Sequence, residues 1–316
     1  MTIMRRHCTR NNFTRRDFVC AAALGAAAAA VLPRDVSAQA ARPIDRPIPS
    51  SGERIPAVGL GTWITFNVGD DPVLQAECAQ VMAAFFAGGG RMIDSSPMYG
   101  SSQSVVGNGL KRLGRPEALF SAEKVWTSAA ANGPAQIEQS RRLWGMERFD
   151  LLQVHNLLTW EAHLETLFAM KAAGRLRYVG ITTSEGRRHD LVEQIMRRHP
   201  LDFVQLTYNV VDREPEQRLL PLATERGTAV IVNRPFRQGA LTRRLDGEPL
   251  PEWANEIGAK SWAQLILKFI LSHPAVTVAI PATTRVDHVR ENLAAAGGTL
   301  PDRDLRERVA AHVGAL

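Results

Sequence analysis

Gly59-Leu60-Gly61-Thr62-Trp63-Ile64 is where two architectures for this chain part company. Its leading Gly-x-Gly is how a doubly wound sheet opens a dinucleotide-binding turn, but Ile64 stands where that fingerprint needs its third glycine. No acidic residue ends a second strand at the required offset, and no helix opens at this turn. The stretch instead closes a strand over 57–61. Similar apolar, β-rich runs recur at 91–94, 119–125, 149–154, 176–181, 203–206, 229–232 and 276–280. Segments of helical period alternate with them at 72–86, 102–112, 134–144, 161–173, 187–198, 215–225, 261–271 and 285–296. Gly88, Gly114, Gly174 and Gly227 punctuate helix ends as C-caps do. Eight such units predict an α/β fold, a closed (β/α)8 TIM barrel with a short hairpin around 52–56 before its first strand, and an active site at the strand C-termini.

The 316 residues are 45% hydrophobic and 22% charged, a globular composition with material for a large core. No Pro/Gly/Ser-rich linker interrupts the alternation, so 52–316 reads as one domain. The net charge of +6 suggests nucleic acid, but six arginines against two aspartates in residues 1–38 account for four of those charges. The pairs Arg141-Arg142, Arg187-Arg188 and Arg197-Arg198 fall on separate predicted helices, so no nucleic-acid face is expected. The histidines and cysteines lack metal-ligand spacing, and no metal is expected.

Thr14-Arg15-Arg16-Asp17-Phe18-Val19 resembles the twin-arginine export consensus and opens an Ala-rich apolar run, 19–32. That run is shorter than the roughly twenty residues a bilayer span needs but suits a signal peptide, and no stable membrane anchor is expected. Val36-Ser37-Ala38 offers a cleavage site before Gln39, with Ala38-Gln39-Ala40 competing. The expectation is a signal peptide over 1–38 engaging the twin-arginine machinery, a linker over 39–51 with its prolines at 42–49, and a periplasmic or secreted product. Cys78 would be its one remaining thiol.

The polar residues where the apolar runs stop carry the chemistry. They read Met92-Ile93-Asp94-Ser95-Ser96-Pro97-Met98-Tyr99-Gly100, Glu123-Lys124-Val125-Trp126 and Leu151-Leu152-Gln153-Val154-His155-Asn156. These contexts resemble the aldo/keto reductase family, and the similarity covers nearly all of 52–296. The resemblance implies carbonyl reduction to an alcohol, or the reverse, by hydride transfer from a nicotinamide nucleotide, with Asp94, Tyr99, Lys124 and His155 as its tetrad. Negative charge develops on the carbonyl oxygen, and a free Tyr with a pKa near 10 needs help to protonate it near neutral pH. By resemblance Tyr99 is the acid, Lys124 lowers its pKa, Asp94 keeps the ammonium charged, and His155 orients the carbonyl.

The resemblance also implies a nicotinamide site at Gly180-Ile181-Thr182-Thr183 and Gln205. Where the family commonly has a stacking Tyr and then Ser, the chain reads Asn233-Arg234, so the ring needs another clamp and Arg234 is a candidate for the pyrophosphate. The segment Ile280-Pro281-Ala282-Thr283-Thr284-Arg285 through Asn292 resembles the adenosine-phosphate segment, with Ala282 and His288 at the usual Lys and Arg. Thr283, Arg285, His288 and Asn292 are its candidate contacts, Arg285 and the helix N-terminus suiting a 2′-phosphate. NADP is therefore expected, with NAD the alternative. Trp63, Met98, Trp126 and Asn156 stand just beyond strand ends and would face a small-molecule carbonyl or alcohol substrate. A non-catalytic nucleotide-binding regulatory or interaction protein on the same fold is the competing reading. The intact tetrad favours catalysis over it.

Overall fold

The computed structural model describes residues 44–316. The signal peptide expected over 1–38 and the first residues of the linker expected over 39–51 lie outside the described residues. The rest of that linker is a correction. β1 (Asp45–Pro47) pairs antiparallel with β2 (Arg54–Pro56), so the hairpin starts seven residues earlier than the sequence suggests. Its prolines mislead because an edge ladder of three residues tolerates them. The turn closes through Ile48 N–H to the Glu53 carbonyl at 2.7 Å, with Gly52 at φ +77°.

Eight strands follow in parallel, each hydrogen-bonded to the next: β3 (Leu60–Gly61), β4 (Met92–Asp94), β5 (Phe120–Val125), β6 (Leu151–Val154), β7 (Tyr178–Thr182), β8 (Phe203–Thr207), β9 (Ala229–Asn233) and β10 (Val276–Ala279). The ring closes where Val58 bridges Ala279 and Gly61 bridges Ala282. This seam explains the opening Gly-x-Gly. A Cβ on Gly61 would stand 2.8 Å from the Ile280 carbonyl, and one on Gly59 would press on Ile280 and Met92. The two glycines let the first and last strands approach.

Strands buried on both faces read as unbroken apolar runs, which is why they are legible. Inside the ring, Met92, Phe120, Leu151, Tyr178 and Phe203, at or near strand starts, pack with Ile48 and Ile55 of the hairpin, which plugs the N-terminal mouth. Outside it, the helices lie on the sheet: α1 (Pro72–Ala87), α2 (Ser102–Arg112), α3 (Gly133–Trp144), α4 (Trp160–Ala172), α5 (His189–Arg198), α6 (Leu219–Arg226), α7 (Ala240–Arg244), α8 (Trp262–Leu271), α9 (Val286–Ala294) and α10 (Arg303–Ala315). The helix expected over 215–225 is split. A 3-10 turn, Glu214–Glu216, comes first, and α6 starts at Leu219, which leaves Pro221 in a first turn where its missing N–H is harmless. The short α7 and the C-terminal α10 are not foreseen by the strand count. Arg306 anchors α10 through the Phe269 carbonyl (2.5 Å), Tyr208 hydroxyl (2.5 Å) and Glu216 carboxylate (2.7 Å). Among the described residues, no helix is long and apolar enough to cross a membrane.

Candidate active site

The strand C-termini bring the four tetrad residues together. Asp94 ends β4, Tyr99 lies in the loop after it, Lys124 is on β5, and His155 opens the 3-10 turn after β6. Lys124 Nζ stands 2.5 Å from Asp94 Oδ1 and donates to the Ser95 carbonyl at 2.6 Å. Both side chains are buried. Asp94 Oδ2 accepts from Gln205 Nε2 at 2.8 Å and Gln153 Nε2 at 3.4 Å. The ammonium lies 5.1 Å from the centre of the Tyr99 ring, and that ring meets His155 edge-on, 5.7 Å away at 88°. His155 Nδ1 lies 2.6 Å from Ser96 Oγ.

Burial works to lower the Lys124 pKa, but Asp94, then Tyr99 and Glu123, outweigh it and hold the ammonium above its ordinary value. Burial, helped by the Lys124 charge, holds His155 well below the usual imidazole value, so it is neutral at pH 7. Tyr99 departs from the expectation. Burial pushes its phenol up to about 12, with Lys124 acting against that rise and Asp94 with it. The ammonium offsets part of the cost of a buried phenolate and does not reverse it. The result is a phenol O–H and a neutral imidazole beside a fixed cation, an arrangement that can bind a carbonyl oxygen and stabilise charge developing on it.

Tyr99 and His155 line a cavity of about 370 Å³. Trp63, Met98, Asn156, Thr182, Gln205, Asn233 and Arg234 line it too, as the sequence expects. Trp126 does not. Its backbone is held by Gln136 and its side chain is 39% exposed outside the cavity. Several expected cofactor contacts are engaged with protein groups instead. Thr182 Oγ1 accepts the Asn156 N–H at 2.9 Å, and Thr183 Oγ1 donates to the Arg187 carbonyl. Asn233 donates to the Thr183 carbonyl at 2.9 Å and accepts from Thr207 at 2.6 Å, while Arg234 pairs with Glu185 at 2.5 Å. Thr283, Arg285, His288 and Asn292 stand off the cavity on the segment after β10, which reaches it through Ile280 and Ala282. There Arg285 grips Asp287, Thr283 Oγ1 accepts the Arg285 N–H at 3.1 Å, and Asn292 is buried on α9.

A sequence model of the aldo/keto reductase family matches residues 57–311. The chain belongs to the aldo/keto reductase family. Among its relatives are an NADH-specific methylglyoxal reductase of Escherichia coli, 23% identical over 82% of this chain and 95% of that protein, and a 9,11-endoperoxide prostaglandin H2 reductase of Trypanosoma cruzi, 29% identical over 80% and 87%. A crystal structure of a Klebsiella pneumoniae aldo/keto reductase in complex with NADP and acetate superposes with a TM-score of 0.71 at 23% identity, covering 83% of this chain and 93% of that one.

This aldo/keto reductase also uses residues that the sequence reading passes over. Glu185, Arg187, Phe236 and Ile64 join the cavity wall, and Ile64 is 62% exposed with a left-handed backbone, φ 65°, that a β-branched residue rarely adopts. Ser96 meets His155. Glu123, on the opposite face of β5 from Lys124, is wholly buried and accepts from Gln103 Nε2 (3.0 Å), Trp144 Nε1 (2.7 Å) and the Lys124 N–H (2.8 Å). An acidic residue inside an otherwise apolar run is a signal that could have found it, but its partners on α2 and α3 are visible only in three dimensions.

Burial is the main cause that pushes Glu123 up from 4.5 to about 7. Between those values the folded chain holds a proton that the unfolded chain has lost, so stability falls as pH rises through the window and stays lower above it. The full loss is about 3 kcal/mol at 1.36 kcal/mol per pKa unit. Glu123→Gln is expected to flatten this fall when unfolding free energy is measured by denaturant between pH 5 and 7. An unchanged slope would assign the titration to another group.

Proposed function

We propose that the protein is a nicotinamide-dependent carbonyl reductase, or the matching alcohol dehydrogenase, with Tyr99 as its proton donor. The observation that carries this reading is the convergence of the Lys124–Asp94 pair, the Tyr99 ring and neutral His155 at one end of the cavity. The phenol stays protonated at neutral pH, and an alkoxide forming beside it is basic enough to take its proton even from a group near 12. Lys124 then stabilises the phenolate left behind, and Asp94 holds Lys124 in place. His155 binds the carbonyl oxygen and orients it. Trp63, Met98 and Phe236 supply an apolar wall for the substrate.

The donor set beside the tetrad fits a nicotinamide nucleotide. Thr182, whose oxygen accepts the Asn156 N–H, keeps its hydroxyl hydrogen for a carboxamide, and Gln205, whose amide nitrogen is bonded to Asp94, keeps its amide oxygen, while Arg234 and Arg187 would exchange their pairing with Glu185 for phosphates. Bound there, the reduced nucleotide supplies the hydride. The nucleotide is NADP(H), with NAD(H) the alternative: the Klebsiella relative is described with NADP and the Escherichia coli relative as NADH-specific. Arg285 is our candidate to read the 2′-phosphate, a role in which it would give up its exposed bond to Asp287. Arg285→Ala is expected to weaken NADPH binding about 10-fold, the low end for a charge-assisted hydrogen bond because one carboxylate partner is given up. NADH binding is expected to stay within about 2-fold. Titration of tryptophan fluorescence with both nucleotides checks this, and equal losses would remove Arg285 from that role.

The mature protein is exported by the twin-arginine route, a reading supported by Arg15-Arg16 ahead of the short apolar run 19–32. Twin-arginine recognition uses guanidinium geometry and not charge alone. Changing Arg15→Lys and Arg16→Lys together should leave unprocessed protein in the cytoplasm on fractionation. Normal levels of processed double variant outside the inner membrane would point to another route.

A further inference from the structure

We infer that Ser96 is a positioning residue that fixes His155 in the tautomer carrying its proton on Nε2, so that the imidazole presents an N–H to the carbonyl oxygen. The inference comes from counting donors and acceptors around one buried hydroxyl. Ser96 is wholly enclosed, His155 nearly so, and Ser96 Oγ has two hydrogen-bond neighbours among the described residues. The first is the Met98 backbone N–H, a donor, at 3.2 Å. The second is His155 Nδ1 at 2.6 Å, a donor or an acceptor according to where the ring proton sits.

Were the proton on Nδ1, both neighbours would donate to Ser96 Oγ and the hydroxyl hydrogen would have no acceptor. A buried donor left unmade costs about 1 to 3 kcal/mol. With the proton on Nε2, the Ser96 hydroxyl donates to Nδ1 and accepts from Met98, and all three groups are satisfied. The ring is neutral at pH 7, so it carries one proton and the choice is binary. Nε2 has no protein partner among the described residues and is not an enclosed atom, and His155 lines the cavity beside Tyr99. The donor therefore faces the cavity. Ser96 is itself held there by the chain: its own carbonyl accepts the Tyr99 N–H at 3.0 Å, which ties hydroxyl, imidazole and phenol into one loop.

This assignment rests on the reading of His155 as the group that binds the carbonyl, and its test separates the two. Nitrogen NMR of the full chain labelled with 15N-histidine, with the His155 signals identified by their loss in His155→Asn, reports the tautomer without any turnover. The wild type is expected to be in the Nε2–H form at pH 7, and the Nδ1–H form would overturn the inference. In Ser96→Ala the tautomers are expected to mix, and kcat for carbonyl reduction to fall about 3- to 10-fold, the worth of one ordinary hydrogen bond, while nucleotide affinity stays unchanged. Ser96→Thr, which keeps the hydroxyl, is expected to recover most of both. A Ser96→Ala spectrum identical to wild type would also overturn it. The Nε2–H form with an unchanged kcat in Ser96→Ala despite mixed tautomers would leave the tautomer assignment standing and contradict the role given to His155.

Discussion

Tyr99→Phe is expected to lower kcat for carbonyl reduction at least about 10²-fold, the low end for loss of a general acid, with nucleotide affinity nearly unchanged. The ring remains, so the edge contact to His155 and the contact with Lys124 lose only the phenol oxygen's share. What the proposed mechanism loses is the proton that the forming alkoxide would take. Steady-state kinetics beside nucleotide titration separate the two effects. Near wild-type turnover would remove Tyr99 from the chemistry and shift the proton donation to another group, with His155, beside Tyr99 in the cavity, the first to test.

Lys124→Met is the second large effect, and it acts on stability as well as rate. Lys124 and Asp94 form an enclosed pair at 2.5 Å, and without the ammonium Asp94 keeps only the two amide donors of Gln205 and Gln153. Breaking a buried pair from one side leaves an uncompensated charge and costs about 3 to 5 kcal/mol. Adding Asp94→Asn removes that stranded charge, so the double variant is expected to regain much of the loss although it stays inactive. Urea denaturation of the single and double variants measures this. A single variant within about 1 kcal/mol of wild type, or a double variant less stable than the single, would mean that the pair is solvated in ways its burial does not suggest.

The barrel was legible because its strands are covered on both faces, so that composition alone marks them as apolar runs, and because each run ends on a polar residue at the one face where a barrel keeps its chemistry. Asp94, Lys124 and His155 are visible for that reason. The features that escaped depend on what a side chain meets across the fold. Pro47 and Pro49 make the first half of a hairpin resemble a linker, since proline content says nothing about whether an edge strand finds a partner. Trp126 follows a strand end as Trp63 does, yet its backbone is bonded to Gln136 and it does not line the cavity. The resemblance puts Gln205 and Asn233 beside the nicotinamide, while in the fold they are bonded to Asp94 and Thr207. Tyr99 is expected to be lowered by its ammonium because the resemblance supplies the neighbour and not the depth of burial.

The same burial is the observation that favours catalysis over mere nucleotide binding at this site. A protein that only binds a nucleotide has no need of an enclosed ion pair beneath a protonated phenol and a neutral imidazole. The most direct measurement mixes the purified full chain with NADPH and then a small aldehyde such as methylglyoxal, following reduced-nicotinamide absorbance and alcohol product together, with Tyr99→Phe in parallel. Loss of NADPH matched one for one by alcohol, and at least about 10²-fold slower in the variant, is the result expected here. Nucleotide binding without product across a panel of aldehydes and ketones, or equal rates for wild type and variant, would contradict it.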